Sequence, residues 1–150
     1  LTVTKTGAIA ANKKHQIGNF ADFCNECGNC DMFCPDLGGP YILKPRFFGS
    51  LVEWQTYPSL DGFFVDGADG AVHYRLDGKV YVSRQADQGA WRYEHDGVTV
   101  SVDALGQSVS GDAAEGTEVD LTYLNLLNVM RRSIRSMGAH YVNGGFGAAQ

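Results

Sequence analysis

Cys24, Cys27, Cys30 and Cys34 are the residues of this sequence whose type and spacing are best suited to chemistry. They lie in the run Cys24-Asn25-Glu26-Cys27-Gly28-Asn29-Cys30-Asp31-Met32-Phe33-Cys34-Pro35, a C-x2-C-x2-C-x3-C-P pattern. That spacing is the ligand run of a bacterial ferredoxin-type iron–sulfur loop. Gaps this short let thiolates converge on one cubane from a single coiled segment. Gly28 permits close backbone approach, and loop N–H groups can then point at the inorganic sulfurs. The cofactor expected is a 4Fe–4S cluster with Cys24, Cys27, Cys30 and Cys34 as its metal ligands. Its chemistry would be one-electron transfer.

Other uses of the thiols fit the pattern less well. A structural zinc site pairs one C-x2-C with a second pair much further along the chain. A disulfide scaffold spreads its cysteines to staple distant segments, whereas these four are clustered. The clustering suggests metal and a reducing compartment, hence a cytoplasmic protein. Cys34 raises a separate question, because in two-cluster ferredoxins the fourth cysteine of such a run ligates the other cluster. Only one run is present, so Cys34 serves either a local cluster or a neighbouring one.

No separate catalytic constellation accompanies the thiols. His15, His73, His95 and His140 show no metal-site spacing and read as structural residues. Asp61, Asp66, Asp69 and Asp112 do not match a calcium loop. Gly144-Gly145-Phe146-Gly147 lacks the flanking strand and helix of a dinucleotide fingerprint. Phe20, Phe23, Met32 and Phe33 are expected to shield the cluster from water.

The elements that position this loop are short. Residues 3–11 read as a strand, turned at Asn12–Lys14, with a return strand over His15–Gly18. Beyond Pro35, residues 41–57 are rich in aromatic and apolar residues and read as an irregular segment followed by a short element packed on a core. From residue 60 the sequence becomes a series of alternating runs punctuated by Asp61-Gly62, Asp66-Gly67, Asp69-Gly70, Asp77-Gly78 and Asp96-Gly97. Asp-Gly favours tight hairpins because both residues tolerate positive φ. Strands are predicted near 62–66, 71–76, 79–84, 90–95 and 98–103, with Leu76-Asp77-Gly78-Lys79 as the clearest two-residue hairpin. Residues 106–116 read as a polar loop. A helix is predicted from Thr117, as N-cap, to Met137, with Leu121, Leu124, Leu127 (or Asn128), Met130 (or Arg131), Ile134 and Met137 along its apolar face. The tail 141–150 is expected to pack loosely.

Composition sets outer bounds. The chain has 150 residues and 44% hydrophobic content, enough for one domain or two small ones. A net charge of -5 disfavours nucleic acid and anionic membranes as partners. No apolar run is long enough to span a bilayer, and the first residues lack the apolar core of a signal peptide. The chain opens on Leu1, which suits a piece of a longer protein.

Residues 24–48, CNECGNCDMFCPDLGGPYILKPRFF, resemble the C-terminal iron–sulfur region of the selenate reductase subunit family. That family is similar to the glutamate synthase small subunit and to the dehydrogenating half of dihydropyrimidine dehydrogenase. The likeness is carried by Cys24 to Cys30, by Phe33 to Pro35, by Gly38 (or Gly39) with Pro40 and Tyr41, and by Lys44 with Phe48. It implies a parent oxidoreductase with upstream flavin domains binding FAD and NAD(P)H, a companion cysteine run before residue 1, and a redox partner subunit. None of the flavin or nicotinamide site lies in this chain.

The fold expected is α+β, a ferredoxin-type cysteine loop followed by an antiparallel β-meander with a C-terminal amphipathic helix. Residues 1–58 form a ferredoxin-like half module in this reading, and residues 59–150 the meander and helix. The function expected is the electron-transfer region of a larger NAD(P)H- and flavin-dependent oxidoreductase, not itself catalytic. A free-standing small ferredoxin is a second reading. A non-redox structural or docking domain of such an enzyme, holding no cluster, is a third.

Overall fold

The Asp-Gly pairs at 77–78 and 96–97 form the turns their chemistry favours. Asp77 and Gly78 have φ of 50° and 75°, and Asp96 and Gly97 have 49° and 77°. Positive φ at both central residues matches the right-handed twist of the flanking strands, so each pair closes a two-residue hairpin. Leu76 pairs with Lys79 across the first, and His95 with Val98 across the second.

These hairpins belong to a computed structural model that describes residues 2–3, 9–10, 17–34, 38–105, 107–112, 114–137 and 141–143. Two short strands, β1 (Thr2–Val3) and β2 (Ile9–Ala10), pair with each other. The main sheet has eight strands: β3 (Asn19–Phe20), β4 (Arg46–Phe48), β5 (Gly62–Val65), β6 (Val72–Leu76), β7 (Lys79–Gln85), β8 (Trp91–His95), β9 (Val98–Val102) and β10 (Val109–Asp112). Their spatial order is β10-β9-β8-β7-β6-β5-β4-β3. From β5 to β10 every neighbour is antiparallel, whereas β3–β4 and β4–β5 are parallel. The parallel pairs require crossovers. The cysteine segment and α1 (Pro40–Leu43) make the first, and α2 (Leu51–Thr56) makes the second. The long helix α3 (Thr122–Ser136) follows the meander. The fold is thus α+β, a mixed sheet with a C-terminal helix.

Each face of the sheet buries its own core. On one face, Phe63, Val65, Val72, Tyr74, Tyr81, Tyr93, Val100 and Val102 pack with Leu124, Leu127 and Ile134 of α3. On the other, Phe48 and Phe64 pack with Trp54 of α2. Each large apolar side chain removed from water contributes roughly 1.5–3 kcal/mol. Alternation along β7 puts Tyr81 and Ser83 toward α3.

Arg75 ties α2 to the sheet. Its guanidinium donates to the carbonyls of Trp54, Tyr57 and Leu60, each at 3.0 Å. The first two lie at the C-terminal end of α2, where carbonyls have no intrahelical partner. The same group sits 4.0 Å from the Trp54 ring centroid.

The structure departs from expectation in several places. Of residues 3–11, Val3 belongs to β1 and Ile9–Ala10 to β2, paired antiparallel, and residues 4–8 and 11 lie outside the described residues. Ile17 and Gly18 are not in a strand, and His15 lies outside the described residues. The polar 106–116 segment contains β10, which pairs with β9 through backbone bonds that do not depend on apolar side chains. The final helix starts at Thr122 and not at Thr117. Asp120 Oδ1 accepts the Thr122 N–H at 2.8 Å, a local turn that fixes the entry. Asn128 and Arg131 are buried against the sheet, while Met137 is exposed. Ser83 Oγ donates to Asn128 Oδ1 at 3.1 Å. Arg131 donates to Gln85 Oε1 at 2.8 Å and lies 4.4 Å from the Trp91 centroid. Of the tail, Tyr141 is exposed with its ring 5.3 Å from Phe23 and 5.8 Å from Phe20, and residues 144–150 lie outside the described residues.

Candidate functional site

The cysteine segment leaves β3 through a single 3-10 turn, Ala21–Phe23, and enters a second at Asn29–Met32. Gly28 precedes the second turn in the left-handed region, φ 76°, which glycine adopts without steric cost. Short backbone bonds hold the coil: Asp31 N–H to Gly28 O at 2.9 Å, and Cys34 N–H to Cys30 O at 3.0 Å. The Cys27 N–H donates to Asn25 Oδ1 at 3.3 Å.

The loop is anchored at two points, one in β4 and one at Gly49 just after it. The Asp22 carboxylate accepts the Gly49 N–H, at 3.2 Å to each oxygen. Arg46 Nη2 lies 2.8 Å from Glu26 Oε1 and also donates to Tyr41 O at 3.3 Å. The second 3-10 turn lies close against the start of α1, since a Cβ at Gly39 would collide with the Asp31 carboxylate. Asp31, then desolvation, then the neighbouring Cys30 hold the Tyr41 phenol above its ordinary range.

No disulfide joins the four cysteines. Cys27 and Cys30 are exposed, and Cys24 and Cys34 are partly buried. Cys24, Cys27 and Cys30 line one open concavity of about 440 Å³ together with Phe20, Phe23 and Tyr41. Cys34 is not among its walls. The donor set suits an iron–sulfur cluster chemically, since it offers thiolates alone, three of them on one concavity. The geometry is looser than the ferredoxin-type loop expected from the spacing. Among the described residues, no three or more His, Cys, Asp or Glu side chains are gathered closely enough to hold a metal ion. Ligand spacing sets which sulfurs can reach one point, but supplies no force that brings them there.

The expected apolar shield is also incomplete. Phe20 and Phe23 border the concavity. Met32 and Phe33 stand in the open, at 84% and 87% exposure, because the second 3-10 turn faces outward. His73 is a buried sheet residue between the rings of Trp54 and Phe64, in keeping with the structural role read for it. His95 stacks on Tyr81 with centroids 4.3 Å apart. His140 and residues 144–147 lie outside the described set. The anchors Asp22, Glu26 and Arg46 were not singled out by sequence reasoning. Their partners lie twenty or more residues away, which no local pattern signals.

Part of the chain is similar to known proteins. Over 67 residues, 45% of this chain, it is 40% identical to the protein named "Putative oxidoreductase YgfK" of Escherichia coli O157:H7. Over 60 residues, 40% of the chain, it is 43% identical to the protein of the same name from Escherichia coli strain K12. The match spans about 6% of the length of each of these relatives. No family model matches the chain, and no solved structure matches it. Among the described residues, no helix is long and apolar enough to cross a membrane.

Proposed function

We propose that this chain is a region of a larger oxidoreductase, in which the eight-stranded sheet and α3 form a structural body that docks the rest of the protein. The observation that carries this reading is the local similarity to two proteins named as oxidoreductases, of which the match spans only a small fraction. The scaffold role is favoured by the absence of a gathered ligand set among the described residues.

A second reading concerns the loop. Cys24, Cys27 and Cys30 line a single concavity, and this favours an iron–sulfur role for the same region. In that reading Cys24, Cys27, Cys30 and Cys34 would hold a 4Fe–4S cluster, with Cys34 serving it or a neighbouring one. The cluster would supply one-electron transfer. This chain's own residues would bind it, orient it through the anchors at Arg46 and Gly49 and border it with Phe20 and Phe23. FAD and NAD(P)H would bind upstream flavin domains of the parent protein, and a redox partner subunit would receive the electrons.

Anaerobic reconstitution of the chain, with iron and sulfide quantified and EPR recorded after dithionite reduction, separates the two. Stoichiometric iron with a reduced-cluster signal supports the electron-transfer reading. Absence of iron under these conditions leaves the scaffold reading and removes the claim that this chain holds a cluster by itself.

A further inference from the structure

We infer that Arg46 is a positioning residue for the cysteine segment, holding the turn between Cys24 and Cys27 in its left-handed form through Glu26. The described residues include four non-glycine positions with positive φ: Glu26, Asp77, Gln88 and Asp96. Asp77 and Asp96 sit in Asp-Gly hairpins, where positive φ is the normal state of the turn. Gln88 lies in the short β7–β8 connection. Glu26 lies in no hairpin, yet its φ is 55°. A long unbranched side chain gains nothing locally from that conformation, so the surrounding structure must impose it.

The imposing contact is the ion pair with Arg46. Arg46 comes from β4, inside the sheet, and its side chain is 14% exposed, against 49% for Glu26. The less exposed partner sits on the rigid element and the more exposed one on the coil, so Arg46 sets the position and Glu26 follows. The same nitrogen reaches Tyr41 O, so one guanidinium spans the cysteine turn and α1. With the Glu26 carboxylate held there, the backbone between Cys24 and Cys27 has one place to run. Both cysteines then border the same concavity.

The consequence for metal loading rests on the iron–sulfur reading, but the positioning itself does not. The test is therefore made first on the metal-free chain, by hydrogen exchange of peptides covering 21–34 and of peptides covering β6–β9. Arg46→Gln and Glu26→Gln should each speed exchange over 24–31 several-fold and leave β6–β9 unchanged. Arg46→Lys, which keeps a cation in reach of Glu26, should restore much of the protection. Unaltered exchange over 24–31 in both glutamine variants would overturn the inference. So would equal loss in Arg46→Lys and Arg46→Gln. If Arg46→Gln loosens the whole sheet, Glu26→Gln decides, because Glu26 contributes nothing to the core.

The metal arm uses ferric iron, sulfide and a thiol reductant under anaerobic conditions. If wild type loads, Arg46→Gln should load more slowly, and loading at the wild-type rate would count against the inference. If wild type takes up no iron while the variants still speed exchange, the cluster reading fails and the positioning role stands.

Discussion

Arg75 donates to the carbonyl of Trp54 at 3.0 Å and lies 4.0 Å above the ring of the same residue. One side chain thus holds both the backbone and the ring of a helix residue, from a strand 21 positions later. Trp54 returns the contact to the sheet through its indole N–H, which donates to Gly62 O at 3.2 Å. Arg75→Met keeps the apolar length but removes the donors to the Trp54, Tyr57 and Leu60 carbonyls, of which Tyr57 O keeps the Leu60 N–H at 3.1 Å. We expect a loss of about 3 kcal/mol, read by urea denaturation. Trp54→Phe should cost less than Trp54→Ala, since it keeps a ring in the second core. An Arg75→Met variant as stable as wild type would show that water serves these carbonyls equally well.

The Ser83–Asn128 bond joins the centre of β7 to α3 inside the larger core. Ser83→Ala leaves the Asn128 amide without its partner and should cost about 1–2 kcal/mol. The double change Ser83→Ala with Asn128→Leu removes both polar groups and should recover most of that loss. Additive destabilisation in a double-mutant cycle would contradict this, since uncoupled sites add.

His73 supplies a pH dependence whose sign can be fixed. Burial first, then the Arg84 charge, lowers its pKa from 6.5, against weaker opposing pulls from Asp69, Asp66 and Glu94. The unfolded chain therefore takes up a proton at a pH where the folded chain does not. The stability from keeping His73 neutral is complete above pH 6.5 and is lost as the pH falls from there through the lowered folded value. Wild type should lose stability over that window, and His73→Gln should lose less. Parallel pH profiles of the two proteins would assign the dependence to other groups.

Cys27→Ser bears on the loop alone. It should deplete iron bound after anaerobic reconstitution while leaving the sheet signal in circular dichroism unchanged, because Cys27 is exposed and belongs to neither core. Iron retention equal to wild type would remove Cys27 from the proposed ligand set. Loss of the sheet signal would show that the loop and the sheet body fold as one unit.

The sequence made some of this visible and concealed the rest, for physical reasons. The hairpins at Asp77-Gly78 and Asp96-Gly97 were legible because positive φ restricts the residues that can occupy a turn, whereas Asp61, Asp66 and Asp69 do not adopt positive φ and their pairs close no two-residue hairpin. The meander between them followed from alternation. β10 was hidden, since Ser110 and Gly111 have no strand preference and pair only because β9 offers an unpaired edge. The helix start was misplaced because Thr117 suits a cap on local grounds, whereas Val119 and Leu121 pack against the core ahead of a helix whose N-cap position is Leu121. The cysteine motif was read from spacing alone, but the spacing does not specify Arg46 and Asp22 as anchors. Arg75 was invisible for the same reason: its three acceptors are aligned only once α2 folds over β5 and β6.

The parallel pairing of β3 with β4 has one more consequence. It makes the stretch between Phe20 and Arg46 a closed loop whose two ends are fixed side by side on neighbouring strands. The entropy of closing such a loop rises only logarithmically, so doubling its length costs only about 0.6 kcal/mol. Residues can therefore be added to or removed from this stretch, away from the Asp22 and Glu26 anchors, with little effect on strand register. The sheet thus holds both ends of the thiol-bearing stretch in register while the length of chain between them is only weakly constrained.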